Sequence, residues 1–460
     1  MTNSGLVSRG LSKVREFVSS ATHFGKLPET DDLERIREQL QECAEGRGGE
    51  VSTRQRAARL TETYLRLDDA GRHAFLKIIA HEFGPDPRQI SVAHEAYQAA
   101  IGTPEQWDAE AHLRAAMRSR RLRILTQFNA IPQGVKFLVD LRADLLRFVA
   151  EDPLLKPLDR ELEARLSAWF DVGFLELQRI TWLSPAALLE KLVQYEAVHE
   201  IRSWDDLKNR LDSDRRCYAF FHPRMPLEPL IFVQVALLEG IADNVQRLLD
   251  IDAPLADTTR ATTAIFYSIS ATQPGLRGVS FGNFLLKRVI DDLKRDFPRL
   301  KTFATLSPIP GLTRWAQRHP EELAEAFLPA DWTRLHALQI DSIESPALAA
   351  VLEGKPDWRA DEALREALRE PLLRLAAHYL LEARRGDKPV DAVARFHLGN
   401  GARVERLNWL ADSADKGLRQ SWGIMVNYLY DPDRIESNLE EFASEGLIAA
   451  SSAVRKLARR

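Results

Sequence analysis

From Asp31 to about Arg120, apolar positions recur at three- and four-residue spacing, as in Leu60, Tyr64 and Leu65 and again in Phe75, Ile78 and Ile79. That period gives each of several helices one apolar stripe. Gly84-Pro85-Asp86-Pro87 stops one helix and caps the next, and Thr103-Pro104-Glu105-Gln106 reads as a capping box with proline in the first turn. Stripes of this kind close on one another as a bundle, so residues 1–120 are expected to form a helical packing and self-association unit. The basic run Arg118 to Arg123 reads as a solvated helix face. Helical patterning continues toward Glu200, through Phe137-Leu138-Val139 and from Ala164 to Leu177, broken at Ile131-Pro132-Gln133-Gly134, Pro153 and Pro157.

After Trp204 the pattern changes. Short apolar runs bounded by turn residues, Leu230 to Leu238, Ala264 to Ile269, Thr302 to Leu306 and Val393 to Leu398, read as strands. A helix from Phe284 to Phe297 separates the second run from the third, and a strand, glycine turn, helix and strand in that order build a mixed or parallel sheet. The expected architecture is therefore α+β: an all-helical N-terminal region, then a second domain over residues 121–460 with a mixed sheet flanked by helices.

Composition narrows the functional classes. A formal charge of -4 over 460 residues gives no basic field for nucleic acid, and no run approaches the ~20 apolar residues that span a bilayer. Two cysteines, Cys43 and Cys217, stand far apart, which fits a reducing, cytoplasmic setting with neither a disulfide framework nor a cysteine metal site. The basic start (Arg9, Lys13, Arg15 and Lys26 against Glu16) has only a faint targeting character, and the final Ala-Arg-Arg is no peroxisomal address. His81-Glu82 and His94-Glu95 lack the second histidine of a zinc-binding helix, so no metal is expected.

The most informative segment runs from Phe266-Tyr267-Ser268-Ile269-Ser270 into Gln273-Pro274-Gly275-Leu276-Arg277-Gly278-Val279-Ser280-Phe281-Gly282-Asn283-Phe284-Leu285-Leu286. A strand here enters a loop that opens a helix. Unpaired N–H groups at such a start favour a diphosphate, provided side chains stay clear of the backbone, as Gly278 and Gly282 permit. The segment resembles the pyrophosphate-binding loop of the acetyl-CoA-dependent N-acetyltransferases: Arg277, Gly278, Gly282, Leu285 and Leu286 match, while Ser280 replaces the middle glycine. That resemblance implies coenzyme A without naming the reaction.

Two further blocks, Leu306-Ser307-Pro308-Ile309-Pro310-Gly311 and Ala394-Arg395-Phe396-His397-Leu398-Gly399-Asn400-Gly401-Ala402, join it. With Glu228-Pro229-Leu230, Asn408-Trp409 and Asn427-Tyr428-Leu429-Tyr430, they resemble the signature of malonyl-CoA decarboxylases over roughly residues 165 to 432. The resemblance implies an acetyltransferase-like catalytic domain that converts malonyl-CoA to acetyl-CoA and CO2 with no prosthetic group. It makes Ser307 and His397 the catalytic pair, with Glu228 and Tyr430 around them. Glu228, Pro229, Leu230, Arg277, Gly278 and Gly282 join that pair in holding malonyl-CoA. The chemistry agrees. Loss of CO2 leaves an enolate on the thioester oxygen, which needs hydrogen-bond donors and then a proton at carbon. Prolines 308 and 310 bar a regular strand after Ser307, and Gly399 and Gly401 are expected to keep the backbone open beside His397. Elsewhere a serine before proline is commonly a turn residue and a histidine in an apolar run a packed core group; the surrounding blocks distinguish this pair. Two other readings share the loop: an acyltransferase that passes an acyl group to an amine, and a non-catalytic acyl-CoA sensor.

Overall fold

The apolar stripes at the start of the chain close on one another as helices. In a computed structural model, which describes residues 30–46, 49–279, 285–342, 352–353 and 358–459, helices run over Thr30–Glu45, Glu50–Arg66, Asp69–Glu82, Pro87–Ala100, Gln106–Ala116, Arg121–Asn129, Gly134–Phe148 and Lys156–Trp169. Leu60, Tyr64, Phe75, Ile79 and Leu138 are buried among them. The Tyr64 ring meets Phe75 and Phe137 edge-on at 5.0 and 5.6 Å between centroids. Leu65, expected on the same stripe, is 57% exposed, because one step along a helix turns the side chain by about 100°.

Asp86 caps Pro87–Ala100 as its sequence suggests, accepting from the Arg88 N–H. The capping box at Thr103 does not form. Its hydroxyl donates to the Ala100 carbonyl instead, closing the preceding helix, and Gln106 Oε1 accepts from the Gly102 N–H. Nor is the run Arg118 to Arg123 wholly solvated: Arg121 is buried and pairs with Glu161 at 2.6 Å.

These helices form the first of two compact units, which takes in the described residues up to Phe174 together with residues 223–225 and 273–279. It therefore runs past the boundary expected at 120. The reason is shared packing: Ile124, Phe128, Leu138, Leu141, Leu158 and Leu162 continue the same set of fully buried helix faces.

The second unit is built on a mixed sheet. Its strands are β1 (Glu176–Ile180), β2 (Arg215–Phe221), β3 (Ile231–Leu238), β4 (Thr263–Ala271), β5 (Thr302–Thr305), β6 (Ser307–Pro308), β9 (Arg403–Asn408) and β10 (Met425–Leu429); β7 (Arg384–Arg385) and β8 (Lys388–Pro389) form a separate ribbon. The order is β1-β2-β3-β4-β5-β10-β6, with β9 also on β10. All neighbours are antiparallel except β4 and β5. The segment between that parallel pair carries the helix Leu285–Asp296, which buries Leu285, Leu286, Val289, Ile290 and Leu293. The sheet thus begins at Glu176 rather than after Trp204, and the helix expected to reach Leu177 ends at Trp169.

One element changes type. Val393 to Leu398, read as a strand, lies in the helix Ala392–Leu398. Asp391 accepts from the Ala394 N–H and starts it. At the other end the Gly401 N–H bonds the Leu398 carbonyl and the Ala402 N–H bonds the His397 carbonyl, which is a Schellman stop. Gly401 has φ +78° there, and a Cβ would stand 2.3 Å from the Ile435 carbonyl oxygen. This glycine terminates a helix; it does not hold the backbone open.

Candidate active site

The site lies in the second unit, where its parallel strands part. Thr305 makes the last rung of β5 with Phe266 of β4, and the Leu306 N–H still reaches the Phe266 carbonyl at 3.1 Å. Beyond that rung β4 continues to Ala271, while Ser307 and Pro308 turn to pair with Val426 and Met425 of β10. Proline suits the break because it has no N–H for a continued ladder.

Ser307 and Thr305 share a face of this stretch, two residues apart. Ser307 Oγ donates to Thr305 Oγ1 at 2.8 Å and stands 3.1 Å from His397 Nε2. On the far side of the ring, His397 Nδ1 is 2.7 Å from the Tyr430 hydroxyl. A serine carries one proton, and Ser307 gives it to Thr305, so Ser307 can only accept from the histidine. That fixes the tautomer: Nε2 carries hydrogen, and Nδ1 accepts from Tyr430. The result is a directed chain from Tyr430 through His397 and Ser307 to Thr305.

Burial sets the charges. His397, Tyr430, Ser307 and Thr305 are all buried. Burial alone lowers the His397 pKa to about 3, and burial raises that of Tyr430 well above its ordinary value. Both are neutral at physiological pH. His397 is further fixed by a stack on Tyr428, centroids 4.4 Å apart at 24°, and Tyr430 is met edge-on by Phe266.

Of the residues singled out in the sequence, the structure brings together Ser307, His397 and Tyr430. Glu228 is not among them. It precedes β3, whose Ile231 pairs with Ala271 at the far end of β4, and its carboxylate is bound by Lys191 Nζ. The Pro229 carbonyl accepts from the Thr272 hydroxyl, and the Leu230 N–H donates to Phe220, so both serve the sheet through their backbones. Arg277 and Gly278 belong to the first unit; Gly278 has φ +88°, and both are exposed. Gly282 and Ser280 lie outside the described residues.

Three residues in the group drew no role from sequence. Thr305 joins Ser307, and its Oγ1 also accepts from the Tyr428 N–H at 3.1 Å. Tyr428 supplies the stack. Asn427 donates to the Thr305 carbonyl at 2.7 Å while accepting from Asn408 and Arg406, which ties β5, β9 and β10 together. Tyr428 and Asn427 stood inside a quoted motif; Thr305, two residues before Ser307, carried only strand periodicity. A cleft of about 990 Å³ opens a little further on, at Pro310, and its lining sets Arg314, Arg359, Lys416 and Arg419 against Glu353 and Asp415. Among the described residues no group of three or more His, Cys, Asp or Glu side chains is placed to hold a metal ion. None of the described helices is long and apolar enough to cross a membrane.

Comparison with known proteins identifies the family. Residues 173–460 match the family profile "Malonyl-CoA decarboxylase C-terminal domain" and residues 83–170 its N-terminal counterpart. The Mus musculus protein named "Malonyl-CoA decarboxylase, mitochondrial" is 37% identical over 86% of this chain and 83% of its own length. The crystal structure of malonyl-CoA decarboxylase from Rhodopseudomonas palustris is 42% identical and superposes with a TM-score of 0.82 over 93% of this chain and 99% of that one. That from Cupriavidus metallidurans is 45% identical, with a TM-score of 0.72 over 93% and 100%. Matches that cover both units at this identity, around a serine and a histidine at hydrogen-bonding distance, place the chain in the malonyl-CoA decarboxylase family.

Proposed function

We propose that this chain decarboxylates malonyl-CoA to acetyl-CoA and CO2, and that Ser307, His397 and Tyr430 do the work. The observation that carries the proposal is the directed hydrogen-bond chain through the His397 ring, 3.1 Å on the Ser307 side and 2.7 Å on the Tyr430 side, at the point where β4 and β5 part.

Breaking the bond between the malonyl carboxylate and the α-carbon releases CO2 and sends the electron pair into the thioester carbonyl as an enolate. A thioester oxygen beside the pair would compete with Ser307 for the His397 Nε2–H and with Thr305 for the Ser307 hydroxyl hydrogen, so these two donors must turn from their present acceptors to reach it. In a buried site such donors are worth far more than in water. One proton, drawn overall from solvent, must then reach the α-carbon, either from Nε2 or through Ser307. Tyr430, already donating to Nδ1, restores the ring as it exchanges tautomers. The thioester itself accepts the electrons, so the reaction as proposed uses neither metal nor prosthetic group. Arg277 and Gly278 are read as the pyrophosphate site; in the second unit, the excess of positive charge in the cleft at Pro310 suits an anionic substrate.

The test is product formation from malonyl-CoA by purified, chelator-treated protein. Acetyl-CoA and CO2 in equal amounts support cofactor-free decarboxylation. Binding of malonyl-CoA with no CO2 released sinks it and points to an acyltransferase or a sensor.

A further inference from the structure

The loop that resembles a pyrophosphate site is held from beneath by the helical unit, and one residue does most of the holding. Arg142, on the helix Gly134–Phe148, is 1% exposed. Its Nη1 donates to the carbonyls of Gly275 at 2.9 Å and Arg277 at 2.7 Å. Its other nitrogens pair with Asp159 at 2.9 Å and Glu163 at 3.1 Å, both on the helix Lys156–Trp169. The loop lies flat on these helices: a Cβ at Gly275 would stand 1.8 Å from the Val139 carbonyl oxygen, and one at Gly278 would stand 2.7 Å from Glu163 Oε1.

Two consequences follow from elementary geometry. The carbonyl and N–H of a trans peptide point in opposite directions. With the Arg277 carbonyl drawn inward to Arg142, the Gly278 N–H faces away from the helices, and it has no hydrogen-bond partner among the described residues. Arg142 itself is not available to a phosphate. It is buried and already compensated by two carboxylates, so its effect on any ligand must pass through the loop it fixes. Only a planar guanidinium offers donors in the fork that two carbonyls and two carboxylates require; a lysine is a point charge.

We infer that Arg142 is a positioning residue for coenzyme A: it orients the Arg277–Gly278 peptide so that its N–H meets the diphosphate. The helical unit thereby sets substrate affinity as well as packing. This inference rests on the reading of Arg277 and Gly278 as the pyrophosphate site.

The experiment compares malonyl-CoA with malonyl-pantetheine, which lacks the diphosphate and nucleoside, as substrates for the full-length protein. Arg142→Lys keeps the charge but loses the fork, and is expected to raise KM for malonyl-CoA by roughly 10-fold, leaving kcat and the malonyl-pantetheine kinetics within about two-fold. Asp159→Asn, which replaces the carboxylate at Arg142 Nε with a neutral amide oxygen and so weakens its anchoring, should shift KM the same way by less, and serves if the lysine variant folds poorly. Equal losses on both substrates would mean a merely structural role and overturn the inference. Arg277→Ala separates the two claims. If it too leaves the preference for malonyl-CoA over malonyl-pantetheine unchanged, the pyrophosphate reading fails and the inference with it. If it abolishes that preference while Arg142→Lys and Asp159→Asn do not, the inference alone fails.

Discussion

His397 is a histidine that does not titrate where histidines usually do. Burial holds its pKa near 3, and His199, also buried, is lowered to about 4. In the unfolded chain both return to about 6.5. Between those values the unfolded state binds more protons than the folded one, so stability falls as pH drops below about 6.5, by up to ~1.4 kcal/mol per pH unit for each ring. Urea unfolding from pH 7 to 5 should show that slope, and His397→Asn should flatten it; an acid slope identical in the variant would remove His397 as its source. The same burial predicts that kcat/KM carries no inflection near 6.5 from His397. At this scale the sequence was legible where a short block isolates a residue, as around Ser307 and His397. Thr305 and the stacking role of Tyr428 were not, because what they touch depends on strand register and on a helix arriving from ninety positions away in the chain.

Among the elements, the helix Ala392–Leu398 bears most directly on the site, since it carries His397. Apolar residues at Val393, Phe396 and Leu398 fit a short strand as well as a short helix, and a run of this length has no period long enough to decide. The decision comes from its ends: the Asp391 cap and the Gly401 stop. Gly401→Ala forces a left-handed residue with no room for its Cβ, and is expected to cost ~2 kcal/mol or more by denaturant unfolding and to lower activity as the His397 helix shifts. A variant as stable and active as the wild type would show that the stop is dispensable. By contrast, β3, β4 and β5 fell close to their expected places, because runs rich in β-branched and aromatic residues between turn residues favour a strand. β1 and β2 were missed; the arginines at the start of β2 hid a strand that is buried along its whole length.

For the whole molecule, composition and periodicity gave a helical part followed by a mixed sheet, but not the division between them. Residues 273–279 cluster with helices that precede them by more than a hundred positions, through carbonyls bound by Arg142, and no local pattern announces that contact. The helical unit also leaves an apolar surface exposed. The pair Pro87–Ala100 and Gln106–Ala116 buries no residue, and Val92, Ile101, Trp107 and Met117 stand exposed along it. We propose that a second copy of the chain covers it; light scattering should then give a molar mass above 52.1 kDa that falls with Trp107→Glu, and a monomer in both would refute the idea. CO2 release by Ser307→Ala and His397→Asn decides whether the Ser307–His397 pair decarboxylates malonyl-CoA. Each variant is expected to lose at least ~100-fold in kcat while still binding malonyl-CoA. Either variant within a few-fold of the wild type would contradict that role.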